Sequence, residues 1–118
     1  MKEADTDFEL IFFERLVKNN PNFIDALIPL AEAYTRKGMY EQGLKIDKKL
    51  ARLKKQDPSV HYNLACSLAL MDEKDEALLA LKRAIKLGYN DFDHMRKDSD
   101  LKVLREDPRF KLLISKNQ

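Results

Sequence analysis

Apolar side chains recur along this chain at steps of three and four residues, and no stretch alternates apolar and polar positions over the length of a strand. The first such run carries Phe8, Leu10, Ile11, Phe12, Phe13, Leu16 and Val17. Thr6 followed by Glu9 forms a capping-box pattern at its start, and Asn19-Asn20-Pro21 ends it, so a helix is predicted over 5–20. Its apolar positions fall into two stripes: Leu10, Phe13 and Val17 on one side, and Phe8, Ile11 and Phe12 on the other, with Glu9, Glu14 and Arg15 between them. A second helix, from about Phe23, carries Ala26, Leu27, Leu30, Ala31 and Tyr34 and stops at Lys37-Gly38, where glycine can take the left-handed conformation. Pro29 removes a backbone donor inside it, which predicts a kink or an irregular first turn.

A third helix is expected over about 40–55, with Tyr40, Gly43, Leu44, Leu50 and Leu53 near its apolar side. Asp57-Pro58 restarts the chain, because aspartate caps free amides while proline fills the first helical position without cost. The fourth helix carries Leu64, Ala65, Leu68 and Ala69. After an Asp72-Glu73-Lys74 turn, a fifth runs to the stop at Gly88. Asp91, Asp98 and Asp107-Pro108 then head three short helices containing Phe92 and Met95, Leu101 and Leu104, and Phe110, Leu112 and Leu113.

Composition narrows the function classes. A chain of 118 residues fits one domain. The single Cys66 excludes an intrachain disulfide, and the scattered His61, Cys66 and His94 match no metal-ligand spacing, so neither metal nor cofactor is expected. Neither a signal peptide nor a membrane span of about 18 unbroken apolar residues is legible, and a reducing cytoplasmic setting is the expectation. Although 36% of the residues are charged, 22 basic and 20 acidic side chains leave a net charge of +2, which exerts no general pull on nucleic acid. Phosphate-binding glycine loop, nucleophile elbow and paired-histidine zinc motif are all lacking, so the chain is not expected to be an enzyme. Cys66 has no flanking cation or helix start to lower its pKa and reads as a packing thiol; His61 reads as a packing or hydrogen-bonding group.

When the second and third helices are laid over the fourth and fifth, Leu30 matches Leu64, Ala31 matches Ala65, Tyr34 matches Leu68 and Gly43 matches Ala77. Each offset is 34 residues, the period of one helical repeat class. Leu30-Ala31-Glu32-Ala33-Tyr34 with Gly38, Tyr40 and Gly43, and then Asn63-Leu64-Ala65 with Ala77, Leu81 and Ala84, resemble the tetratricopeptide repeat (TPR) family. The resemblance implies an all-α fold of antiparallel helix pairs stacked as a short right-handed superhelix. Residues 5–20 would form an N-terminal capping helix, 23–56 the first repeat, 58–90 the second and 91–118 C-terminal capping helices, similar to the extension of some bacterial TPR proteins. The pattern departs from the family at Leu27, His61 and Asp47, where large aromatics are usual.

The family binds peptides or helices in a concave groove, so the resemblance implies a protein–protein interaction adaptor. Its groove lining would include Ile28, Glu32 and Arg36 of the first repeat and Tyr62, Asn63 and Cys66 of the second. Glu32 and Arg36 stand at i, i+4 spacing and can pair. Ile28 and Glu32 replace the Lys and Asn of the family's carboxylate clamp, leaving only Asn63 at such a position. Two alternatives rest on the residues themselves. Lys45, Lys48, Lys49, Arg52, Lys54 and Lys55 could meet an anionic surface, although no aromatic is interleaved to stack a base. Alternatively, the stripe Phe8, Ile11 and Phe12, which lacks cover within the regular stack, could mediate self-association as a twofold homodimer.

Overall fold

The computed structural model describes residues 2–118, with side chains from Asp7 onward. Among the described residues the chain is all-α: α1 (Lys2–Asn19), α2 (Ile24–Arg36), α3 (Tyr40–Leu53), α4 (Pro58–Leu70), α5 (Lys74–Lys86), α6 (Phe92–Lys97), a 3-10 helix (Ser99–Leu104) and α7 (Pro108–Asn117), with no strand. Two compact units divide it, the first ending at Leu53 and the second beginning at Lys54. No described helix is long and apolar enough to cross a membrane.

In the first unit α2 packs against both α1 and α3. The α1 helix starts at Lys2 rather than at a Thr6 cap. Nothing from Lys2 to Asp5 breaks a helix, and the acidic residues there suit its positive end; the Thr6 side chain lies outside the described residues. Leu10, Phe13, Leu16 and Val17 are half-buried on the α2 side. Polar contacts flank them: Tyr34 Oη donates to Glu14 (2.7 Å), Arg36 Nη2 to Glu9 (2.7 Å), and Lys37 pairs with Asp7. Arg36 thus pairs across to α1 and not along α2 to Glu32. The core is Ala26, Leu27, Leu30, Ala31 and Ala33 of α2 with Leu44 and Leu50 of α3. Pro29 is accommodated within an unbroken α2; the carbonyl it leaves unpaired belongs to the exposed Asp25, near the helix start.

The turn closing α2 follows from Gly38, whose φ of +76° lets Met39 N–H reach back to the Tyr34 carbonyl at 2.8 Å. α3 can then cross close to α2 because residue 43 is glycine. A Cβ there would lie 3.1 Å from Thr35 Oγ1 and 3.6 Å from the Ala31 carbonyl oxygen.

The second unit repeats this construction residue for residue. α4 begins 34 positions after α2, and α5 the same 34 after α3. Asp72 stands where Gly38 stood, with φ of +59°, and Glu73 N–H reaches the Leu68 carbonyl at 2.9 Å. Ala77, the counterpart of Gly43, is fully buried. Asp57 caps α4 through Ser59 N–H (2.9 Å) and Val60 N–H (3.2 Å), as the Asp-Pro pair predicts.

Unlike α2, α4 carries buried residues around most of its circumference, from Val60 and Tyr62 through Ala65, Cys66, Leu68 and Ala69. One side meets α5 and another the 3-10 helix, so almost no polar face is needed. The C-terminal elements start where the aspartates predicted. Asp91, Asp98 and Asp107 accept from His94, Asp100 and Arg109 N–H respectively. Met95, Leu101, Leu104, Phe110 and Ile114 lock them to the unit.

Candidate interaction surfaces

The densest polar cluster of the second unit centres on Asp98. Its Oδ1 accepts the Asp100 N–H at 3.0 Å, and its Oδ2 accepts the Tyr62 hydroxyl at 2.6 Å. Cys66 Sγ lies 3.7 Å and His94 Nε2 3.2 Å from the same Oδ2. Tyr89 stacks on Tyr62 with ring centroids 4.2 Å apart and planes within 3°, and Arg105 donates to the Asp98 carbonyl at 2.9 Å. The Gly88 turn, at φ +118°, directs the chain so that Tyr89 can make this stack.

This cluster corrects the expected role of Tyr62, which is 5% exposed and cannot line an open groove. The extension covers it. Burial pushes the Tyr62 phenol well above its ordinary pKa, with the neighbouring Cys66 and Asp98 adding to the effect. Burial, then the charges of Asp98 and Asp100, likewise hold Cys66 as a thiol. Asp100 is itself raised by burial and by Asp98.

Chemically the cluster is closed. Cys66, Asp98 and Asp100 offer ligand atoms within 4.8 Å of one another, a spacing that could hold a cation. The carboxylate oxygen nearest the sulfur is already shared with Tyr62 and His94, however, and a thiol raised in pKa is a poor nucleophile and a poor ligand. His61 is also committed, its Nε2–H donating to the Lys55 carbonyl at 2.8 Å.

The remaining candidates lie in the open. On α2, Ile28 is half-buried and Glu32 and Arg36 are exposed, one helical turn apart, with Arg36 held by Glu9. Asn63 is exposed on α4. In the 34-residue register Ile28 corresponds to Tyr62 and Glu32 to Cys66, so the same helix face is open in the first unit and covered in the second. Of the basic run, Lys45, Lys48, Arg52, Lys54 and Lys55 are exposed and Lys49 is half-buried.

Two apolar surfaces also stand open. Phe8 is 72% exposed, Ile11 52% and Phe12 49%, and the Phe8 and Phe12 rings lie parallel 6.4 Å apart along α1. Within the second unit, a cleft between α5 and α7 is floored by Leu78, Leu79, Leu112 and Leu113, with Leu79 67% and Leu112 65% exposed. Periodicity did not single out this cleft. The signal available was the unbroken run Ala77-Leu78-Leu79-Ala80-Leu81, which is wider than one helix face needs.

No family model matches the chain. It is similar to a chloroplastic protein of Arabidopsis thaliana, at 33% identity over 84 residues. The matched stretch covers 69% of this chain, and the chain spans about a quarter of that relative's length (25%).

Proposed function

We propose that this chain is a protein-binding module of the tetratricopeptide type, without enzymatic activity, which holds a peptide or helix of a partner protein against α2. The observation that carries the reading is the 34-residue recurrence of the helix pairs, extending to their turn hydrogen bonds. Such pairs fix side chains on rigid helices, so that a docking peptide alone loses conformational freedom. In this reading Ile28 supplies an apolar anchor and Glu32 and Arg36 supply polar contacts. Tyr62 acts indirectly, by securing the extension. The similar Arabidopsis protein is named as chloroplastic, and either cytoplasm or plastid interior suits a chain whose lone cysteine is an unpaired thiol.

The test is capture of partners by the purified chain from lysate of its own source. Ile28→Arg combined with Glu32→Lys should abolish capture while the helical circular dichroism and melting temperature stay near wild type. If capture survives this change but is lost in Lys45→Glu/Lys48→Glu/Arg52→Glu, the basic face of α3 is the binding surface and the α2 assignment is wrong.

A further inference from the structure

We propose that the outward face of α3 holds the protein reversibly on the surface of an anionic lipid bilayer. This inference uses none of the α2 residues assigned above, so either can fail without the other.

Lys45, Lys48, Lys49 and Arg52 are spaced i, i+3, i+4, i+7. At 3.6 residues per turn they share one side of the helix, within about 100° of arc and along roughly 10 Å of its axis. The buried Gly43, Leu44, Asp47 and Leu50 occupy the rest of the circumference, while Lys45, Lys48 and Arg52 are exposed and Lys49 is half-buried. Lys55, also exposed, follows the end of the helix. From Gln42 to Gln56 the one carboxylate is Asp47, which is buried; the nearest acid on the side of the stripe is Glu41, in the first turn. None of these five cations makes an ion pair among the described residues, whereas the neighbouring Lys54 pairs with Asp57 at 3.7 Å. The counterpart stripe of α5 is shorter. It carries Lys82, Arg83 and Lys86, with Leu79 at the place of Lys45 and Tyr89 at that of Lys55.

The composition of the α3 face selects a bilayer as its partner. Four of the five cations are lysines, compact charges on flexible stems that respond to a diffuse negative potential and do not make the bidentate contacts of arginine. The centres of protein interfaces are depleted in lysine and enriched in aromatic residues and arginine, and no aromatic lies between Glu41 and Gln56. The same lack leaves no platform on which to stack a base. Leu53, 39% exposed, stands among Arg52, Lys54 and Lys55, where it can enter the headgroup layer while the cations meet the lipid phosphates. Each cation held near an anionic bilayer strengthens binding about fivefold, and the attraction fades within a Debye length. A bilayer offers a continuum of equivalent positions, so this contact needs no fixed stoichiometry.

Co-sedimentation of the full chain with vesicles tests this, comparing phosphatidylcholine containing phosphatidylglycerol with phosphatidylcholine alone. The wild type should pellet with the anionic vesicles only, and should be released when the salt is raised to about 1 M, where the Debye length falls to about 3 Å. Lys45→Glu/Lys48→Glu/Arg52→Glu should bind on the order of a hundredfold more weakly. Lys97→Glu/Lys102→Glu/Lys116→Glu, which changes the net charge equally from exposed positions elsewhere, should keep most of the binding. Circular dichroism verifies folding, and the corresponding glutamine variants replace any glutamate variant that is unfolded. Absence of binding to anionic vesicles, equal binding to both kinds of vesicle, or equal losses in the two triple variants overturns the proposal. So does tighter binding of the α3 face to a DNA duplex or to polyglutamate than to anionic vesicles at equal charge concentration, which would identify nucleic acid or an acidic protein segment as its partner.

Discussion

α2 and α4 occupy corresponding places in the two helix pairs, yet they meet different surroundings. Both are 13 residues long, both end in a left-handed residue that returns the chain through the same hydrogen bond, and both are crossed closely by the next helix at a small residue. On α2 the face of Ile28 and Glu32 remains open, whereas on α4 the corresponding Tyr62 and Cys66 lie beneath the C-terminal extension, tied to Asp98. Small residues and turn geometry thus build the pair, and the segment that follows decides whether its face is available to a partner.

The largest effect should come from the covered face. Tyr62→Ala removes the stack on Tyr89 and leaves Asp98 without its closest donor, so a loss of about 3–5 kcal/mol is expected by denaturant unfolding. Ile28→Ala, at the corresponding open position, should cost no more than about 1.5 kcal/mol. Equal losses would mean that the two faces are not differently covered.

The helix crossings come next. Ala77→Leu forces added methylenes into a fully buried site and should destabilise by about 1–3 kcal/mol. Gly43→Ala should be close to neutral. The helix-propensity gain of about 1 kcal/mol is set against a 3.1 Å approach to Thr35 Oγ1, which a side-chain adjustment can relieve. The turns differ in the opposite direction. Asp72→Gly relieves a side chain held at positive φ and should stabilise by up to about 1 kcal/mol, whereas Gly38→Ala should destabilise by a similar amount. Thermal melts of the two variants should therefore shift with opposite signs.

A smaller effect concerns the tie between α1 and α2. Burial, and then the hydrogen bond to Glu14, push the Tyr34 phenol up to about 12. Because the folded value lies above the ordinary value of about 10, this tie contributes fully below pH 10 and is lost as the pH rises toward 12. The stability difference between wild type and Tyr34→Phe should therefore be constant from neutral pH to about 10 and shrink above it. A difference that grows with alkalinity would contradict the contact.

The helices and their caps were legible because their causes are local. Asp57, Asp91, Asp98 and Asp107 each cap the amides that follow them, and Gly38 and Gly88 each stop a helix. The 34-residue register was legible because close helix crossings demand small residues at fixed places, as at Gly43 and Ala77. The covering of Tyr62 was not legible. Its partner Asp98 lies 36 residues away and already had a local role as a cap, so helical periodicity gave no hint of a second one. The Arg36–Glu9 pair was missed for a similar reason: the i, i+4 rule supplied Glu32 as a local partner, while the tertiary contact across 27 residues prevailed. Which of the exposed residues bind a partner is the part that folding alone does not determine, since neither burial nor capping selects among Ile28, Glu32, Asn63 and the lysines of α3.

Site-specific photo-crosslinking addresses that choice most directly. A photoreactive side chain is placed at position 32 on the open face of α2 or at position 48 on the basic face of α3, and irradiated in lysate of the protein's own source. The account predicts a discrete protein adduct from position 32 that is competed away by excess unlabelled chain, and no competable adduct from position 48. A competable adduct from position 48 with none from position 32 would contradict it.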